Sequence, residues 1–131
     1  MKSLLLAAAI AAGALVSCFS ERAGPTALGP LADCSLPLDS TTIGRVGVVV
    51  IRDFAFHPRE LRVPAGTRVT WINCETEANQ RMAHTSTADA GAWGSPLLEF
   101  GRTYSAVFNT PGTYSYHCEP HPSMTASVIV E

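Results

Sequence analysis

The sequence predicts an all-β fold, a Greek-key β-sandwich or barrel, and three observations lead there. Short runs of β-branched and aromatic residues recur, from GVVVI at 47–51 to TASVIV at 125–130, the composition of half-buried strands. Turn sequences such as Pro64-Ala65-Gly66 and Pro111-Gly112 separate them. From residue 45 onward no stretch carries a long apolar stripe at helical spacing, so sheets must supply the core. About six to eight short strands with turns between them predict two packed antiparallel layers.

The chain does not begin as part of that domain. Lys2 is followed by an uncharged apolar run from Leu4 to Val16, too short for a comfortable membrane span and shaped like the apolar centre of a secretory signal. The run ends at Leu15-Val16-Ser17-Cys18, which resembles the lipobox of bacterial lipoproteins. Residues 1–17 are therefore expected to be a lipoprotein-type signal peptide, with Cys18 the lipidated first residue. An ordinary signal peptide cleaved just beyond is the rival, and both imply export to the periplasm or cell envelope. Residues 18–44 hold Pro25, Pro30 and Pro37 among Gly, Ser and Thr without a sustained period, the composition of a flexible tether.

Residues 45–131 are then the folded domain. After GVVVI, Leu61 and Val63 flank a short extended piece, and TRVTWIN (67–73) alternates Val69 and Trp71 with Arg68 and Thr70. The polar stretch from Cys74 to Ser95 reads as a long loop with room for one helical turn. Tyr104, Ala106 and Phe108 share a strand face, TYSYHC follows the turn at Pro111-Gly112, and TASVIVE closes the chain.

Charge excludes one class of partner. The chain has nine Lys+Arg against eleven Asp+Glu, and Lys2 is the sole lysine, so the exported part is mildly acidic with scattered arginines. Nucleic acid needs a concentrated positive face, which is absent. Of the cysteines at 18, 34, 74 and 118, one is assigned to lipid and one to a metal. Cys34 and Cys74 remain, in a compartment that permits disulfides. A bridge between them would pin the tether onto the domain; two separate thiols are the alternative.

The metal is read from YHCEPHPSM (116–124), which gathers a cysteine, two histidines and a methionine in a chain with four histidines in all. Strand alternation turns Tyr114, Tyr116 and Cys118 to the core side and His117 away. Pro120 and Pro122 restrict the backbone around His121, and Met124 lies three residues further on. Magnesium and calcium prefer oxygen, and thioether is an unusual zinc ligand. Two imidazoles and a thiolate with a weak axial thioether is a blue-copper set, serving both oxidation states of copper. The second imidazole must come from upstream. His84 follows a strand through a loop, where binding residues concentrate; His57, beside a proline, reads as a surface histidine, and Met82 as loop filler.

The run FAFHPRELRVPAGTRVTWIN, then His84, then SPLLEFGRTYSAVFNTPGTYSYHCEPHPSM resembles the cupredoxins, the plastocyanin and amicyanin group in particular, over residues 46–131. The Cys-x-x-His-x-x-Met spacing at 118, 121 and 124 resembles the short ligand loop of amicyanin. The resemblance implies His84, Cys118, His121 and Met124 as ligands of one type 1 copper ion and His121 as the electron port. Three departures stand out. The segment from Asn73 to His84 is longer and contains Cys74, Thr85 stands where the family often has an asparagine tying two copper loops together, and Ala126 replaces a common glycine. The first two predict a looser His84 side.

The expected function is outer-sphere electron transfer between redox partner proteins, by a monomer tethered to a membrane through Cys18. No substrate pocket is needed, and His57 and His117 are too few for a copper-oxidase cluster, so no enzyme is expected. An envelope copper-binding or delivery protein is the alternative. With only Met82 and Met124 left in the exported chain, the sequence lacks the several methionines that favour it.

Overall fold

Val69 and Trp71 are fully buried while Arg68 is exposed, so the alternation in TRVTWIN turns one side of that strand into a core. The computed structural model describes Cys34 and residues 47–131. The signal peptide at 1–17, Cys18, the tether at 18–44 apart from Cys34, and the boundary at residue 45 lie outside the described residues. Among the described residues there are eight strands: β1 (Val48–Arg52), β2 (Ala55–His57), β3 (Glu60–Val63), β4 (Thr67–Asn73), β5 (Thr87–Ala88), β6 (Thr103–Phe108), β7 (Gly112–His117) and β8 (Thr125–Val130). A single-turn 3-10 helix at Glu77–Asn79 is the helical turn of the long loop.

The strands form two four-stranded sheets, ordered β2-β1-β4-β6 and β3-β8-β7-β5. The purely antiparallel expectation fails twice: β1 pairs parallel with β4, and β3 parallel with β8. The turn at Pro64–Gly66 carries the chain from β3 in one sheet to β4 in the other, so these sequential strands cannot pair. Each takes a distant neighbour instead, and its direction is set by how the two sheets close rather than by local propensity. Gly47 permits the approach of β1 to β4: its φ is +64°, and a Cβ there would lie 2.8 Å from the Arg68 carbonyl oxygen.

Trp71 is the hub between the sheets. It stacks on Trp93 with ring centroids 5.4 Å apart, meets Tyr116 edge-on at 5.6 Å, and lies beside Tyr104 and Phe108. Truncating such a ring in a closed core costs about 3–5 kcal/mol.

A second, smaller cluster covers the outer face of the first sheet. Val50, Ile72 and Cys74 are buried there with Cys34 and Val48 packed against them. Cys34 and Cys74 are joined by a disulfide, with Cα atoms 5.4 Å apart. Arg52 fastens the same spot, donating from its guanidinium to the Cys34 carbonyl at 2.9 Å and to the Cys74 carbonyl at 3.2 Å. Ile72, next to Trp71, is buried because that outer cap exists.

Arg52 also opens the β1–β2 hairpin. Arg52 pairs with Ala55, leaving Asp53 and Phe54 as a two-residue loop with φ of 54° and 53°. Both left-handed values match the tight hairpin turns whose twist suits the flanking strands.

Candidate metal centre

Cys118 leaves the end of β7 with its side chain fully buried. The chain then folds back on itself within seven residues. The His121 amide donates to the Cys118 carbonyl at 3.2 Å, the Met124 amide to the His121 carbonyl at 2.9 Å, and the Cys118 amide to the Met124 carbonyl at 3.1 Å. Cys118 and Met124 end up buried, while His121 keeps an exposed edge.

His84 arrives from the other side and is 0% exposed. Its backbone exchanges hydrogen bonds with Leu98 at 3.1 and 2.7 Å. Asn73, at the end of β4, organises the long segment before it. Its side-chain amide donates to the Met82 and Leu98 carbonyls, both at 2.8 Å, and its side-chain oxygen accepts the Glu75 amide at 2.9 Å.

These two supports bring three candidate ligand atoms together. The Cys118 Sγ lies 3.6 Å from His84 Nδ1 and 3.5 Å from His121 Nδ1, and the two nitrogens are 3.2 Å apart. The centre of that triangle is about 2 Å from each corner, the length of a metal–imidazole bond. The buried Met124 closes the same loop. One thiolate and two imidazoles at this spacing, with a buried thioether closing the same loop, fit copper. The spare histidines lie elsewhere: His57 Nε2 meets the Arg52 carbonyl at 3.2 Å, and His117 Nδ1 meets Asp89 at 2.6 Å.

Glu75 is one residue that sequence reasoning missed. Its carboxylate is 0% exposed, yet five donors converge on it. The Asp53, Phe54 and Thr76 amides come within 2.8–2.9 Å, Asn79 Nδ2 within 3.0 Å and His84 Nε2 within 3.1 Å. Burial raises its pKa, but the hydrogen bonds from Phe54, Asn79, Thr76 and Asp53 outweigh burial and hold it at about 2. The ionised carboxylate accepts a hydrogen bond from His84 Nε2–H, which fixes the tautomer and leaves Nδ1 as a free lone pair facing Cys118. Burial in turn pushes the His84 pKa below the usual imidazole range, against the pull of Glu75 and with a further push from His121. A lone acid in a polar loop looks solvated; only its place two residues after a buried strand end was a signal.

Thr85, a departure expected to loosen the site, is a strap instead. Its hydroxyl accepts the Glu119 amide at 2.9 Å, tying the His84 segment to the Cys118 loop, while its own amide donates to the Cys118 sulfur at 3.4 Å. A threonine at this position reaches the partner loop by itself. Phe54 also escapes sequence reasoning; its ring stands edge-on to both imidazoles, with centroids 5.4 Å from His84 and 5.0 Å from His121.

Residues 46–131 match the family of copper binding proteins described as plastocyanin/azurin. Amicyanin-alpha of Methylorubrum extorquens is 38% identical over 134 residues, covering 100% of both chains. Amicyanin of Paracoccus denitrificans is 39% identical over 89 residues, covering 64% of each chain. Among solved structures, an oxidized amicyanin mutant is 31% identical with a TM-score of 0.60, covering 79% of this chain and 96% of that one.

Proposed function

The chain belongs to the plastocyanin/azurin family of copper-binding proteins, and on that premise we propose that it is an exported carrier of single electrons between redox partner proteins. His84, Cys118, His121 and Met124 are the ligands of its one copper ion, and the chain is a monomer. The observation that carries this reading is the triangle of Cys118 Sγ, His84 Nδ1 and His121 Nδ1, with edges of 3.2 to 3.6 Å. Copper bound there supplies reversible one-electron chemistry, because thiolate and thioether suit the lower oxidation state and imidazole the higher.

The protein's part is to hold the ligands still and dry. Glu75 sets the His84 tautomer, Thr85 ties the two ligand segments together, and the buried Cys118 and Met124 exclude water. A frame that does not rearrange lets an electron come and go with little reorganisation. Of the four ligands only His121 has an exposed edge, so a partner approaches there. No substrate has to be bound, and the protein is an electron carrier rather than an enzyme. The lipobox-like sequence at 15–18 supports a lipid on Cys18, with residues 18–44 tethering the domain to a membrane of the cell envelope.

Titrating the purified domain with a cupric salt tests the centre. An intense visible band from the thiolate is expected, reversible on reduction, and absent in Cys118→Ser. A colourless product whose Cys118 still reacts with iodoacetamide overturns the reading. Mass spectrometry of the mature amino terminus tests the anchor: a diacylglyceryl group on Cys18 is expected, and an unmodified chain beginning beyond residue 18 overturns it.

A further inference from the structure

Phe54 breaks a local rule. It occupies the second position of the β1–β2 hairpin at φ 53°, next to Asp53 at 54°. Glycine is favoured there, because a side chain crowds a left-handed backbone. A bulky aromatic kept in that conformation points to a demand made elsewhere in the fold. The backbone is held by Glu75, whose carboxylate accepts the Asp53 amide at 2.8 Å and the Phe54 amide at 2.9 Å. The oxygen that takes the Phe54 amide, Oε2, also takes His84 Nε2. One carboxylate therefore fixes both the buried imidazole and the corner from which the Phe54 ring projects.

That ring meets both imidazoles nearly at right angles, 85° to His84 and 89° to His121, the edge-on arrangement that aromatic pairs prefer. The backbone of His121 is tied into its loop, but its ring has little else to hold it. Among the described residues its ring nitrogens meet only Cys118 and His84, at the metal position itself. Phe54 is the one described ring outside the ligand set that packs on it.

Resting on the copper-centre reading above, we propose that Phe54 is a positioning residue of the electron carrier. It holds the outer imidazole of His121 in its ligating orientation and covers the seam between the two imidazoles against water. Glu75 couples that hold to His84.

The test compares copper-loaded wild type, Phe54→Gly and Phe54→Tyr, following copper loss to excess EDTA and the reduction potential by voltammetry. Phe54→Gly relieves the left-handed backbone, so a residue serving only the turn predicts wild-type behaviour at the metal. The expected result is copper loss about tenfold faster, the size of two lost edge-on ring contacts, with a displaced potential. Phe54→Tyr, which keeps the ring, should behave as wild type. Phe54→Leu, which keeps bulk without the ring edge, gives the same reading should the glycine variant not fold. Wild-type copper loss and potential in the ring-less variants overturn the proposal. In the apoproteins the Hε1 proton shifts of His84 and His121 should move when the ring is removed, and unmoved shifts overturn the packing itself. A wild type that takes up no copper sinks the centre instead, and the apoprotein spectra separate that failure from this one.

Discussion

The two halves of the centre are built in opposite ways. Cys118, His121 and Met124 lie within seven residues, closed by three backbone hydrogen bonds inside that stretch. Residue spacing there is already geometry. His84 is held by contacts from across the fold: Leu98 through the backbone, Asn73 through Leu98, and Glu75, which itself answers to Asp53, Phe54, Thr76 and Asn79. A loop can carry ligands by local spacing, whereas a buried ligand needs a tertiary scaffold. Damage should therefore stay local on one side and spread on the other.

Removing each imidazole separates the halves most sharply. His121→Gly leaves a solvent-facing hole in a loop that closes without it, so added imidazole should restore the visible band. His84→Gly leaves a hole with 0% exposure and takes a hydrogen-bond partner from a buried carboxylate. Imidazole should fail there, and the apoprotein should lose about 3 kcal/mol. Absorbance titrations with imidazole and urea unfolding check both halves; equal rescue of the two variants would erase the distinction.

The disulfide probes the scaffold from further out. Cys34 and Cys74 are separated by 40 residues, and closing a loop of that length restrains the unfolded chain by roughly 4 kcal/mol. Cys34→Ala with Cys74→Ala should lower the urea midpoint accordingly. The visible band should survive, because Asn73 and Glu75 keep their own hydrogen bonds to the His84 segment. A band that collapses with the disulfide would show that the scaffold depends on its outermost fastening.

Glu75 gives the scaffold a pH signature of its own. Its carboxyl titrates at about 2 in the folded protein, against 4.5 for an unperturbed glutamate. A depressed carboxyl stabilises the fold above its unfolded value, and that stability drains away as pH falls through the folded one. Apoprotein stability should thus fall by about 3 kcal/mol between those two values on account of Glu75. Urea midpoints of apo wild type and Glu75→Gln across that range check it: the variant should start lower at neutral pH and fall less steeply in acid. Parallel acid limbs would mean that the carboxylate does not carry the scaffold.

The same contrast sorts what the sequence disclosed. Period-two alternation exposes Val69 and Trp71, or Tyr116 and Cys118, because each strand faces the core independently of its neighbours. The parallel pairings of β1 with β4 and β3 with β8 have no local signal, since they depend on which sheet a turn delivers the chain to. Val50 and Ile72 face away from the main core and are buried by the cap around Cys34, which no periodicity foretells. His84 was traceable as a strand-to-loop histidine. Its partner Glu75 was not, because a carboxylate becomes a buried ion only when donors from residues 53, 54, 76, 79 and 84 converge on it.

The smallest effect should fall on the seam between the halves. Thr85 is 4% exposed, and its hydroxyl receives the Glu119 amide at 2.9 Å and the Thr87 hydroxyl at 3.1 Å. Thr85→Val keeps the shape and leaves both donors without that acceptor, which should cost about 1 kcal/mol; Thr85→Ser should cost less. The Thr85 amide still reaches the Cys118 sulfur in both variants, because it belongs to the backbone. The visible band should therefore hold its position while the urea midpoint drops. A shifted band in Thr85→Val with an unchanged midpoint would place the hydroxyl among the groups that set the ligand geometry, and the two halves would then be one unit rather than two joined by a strap.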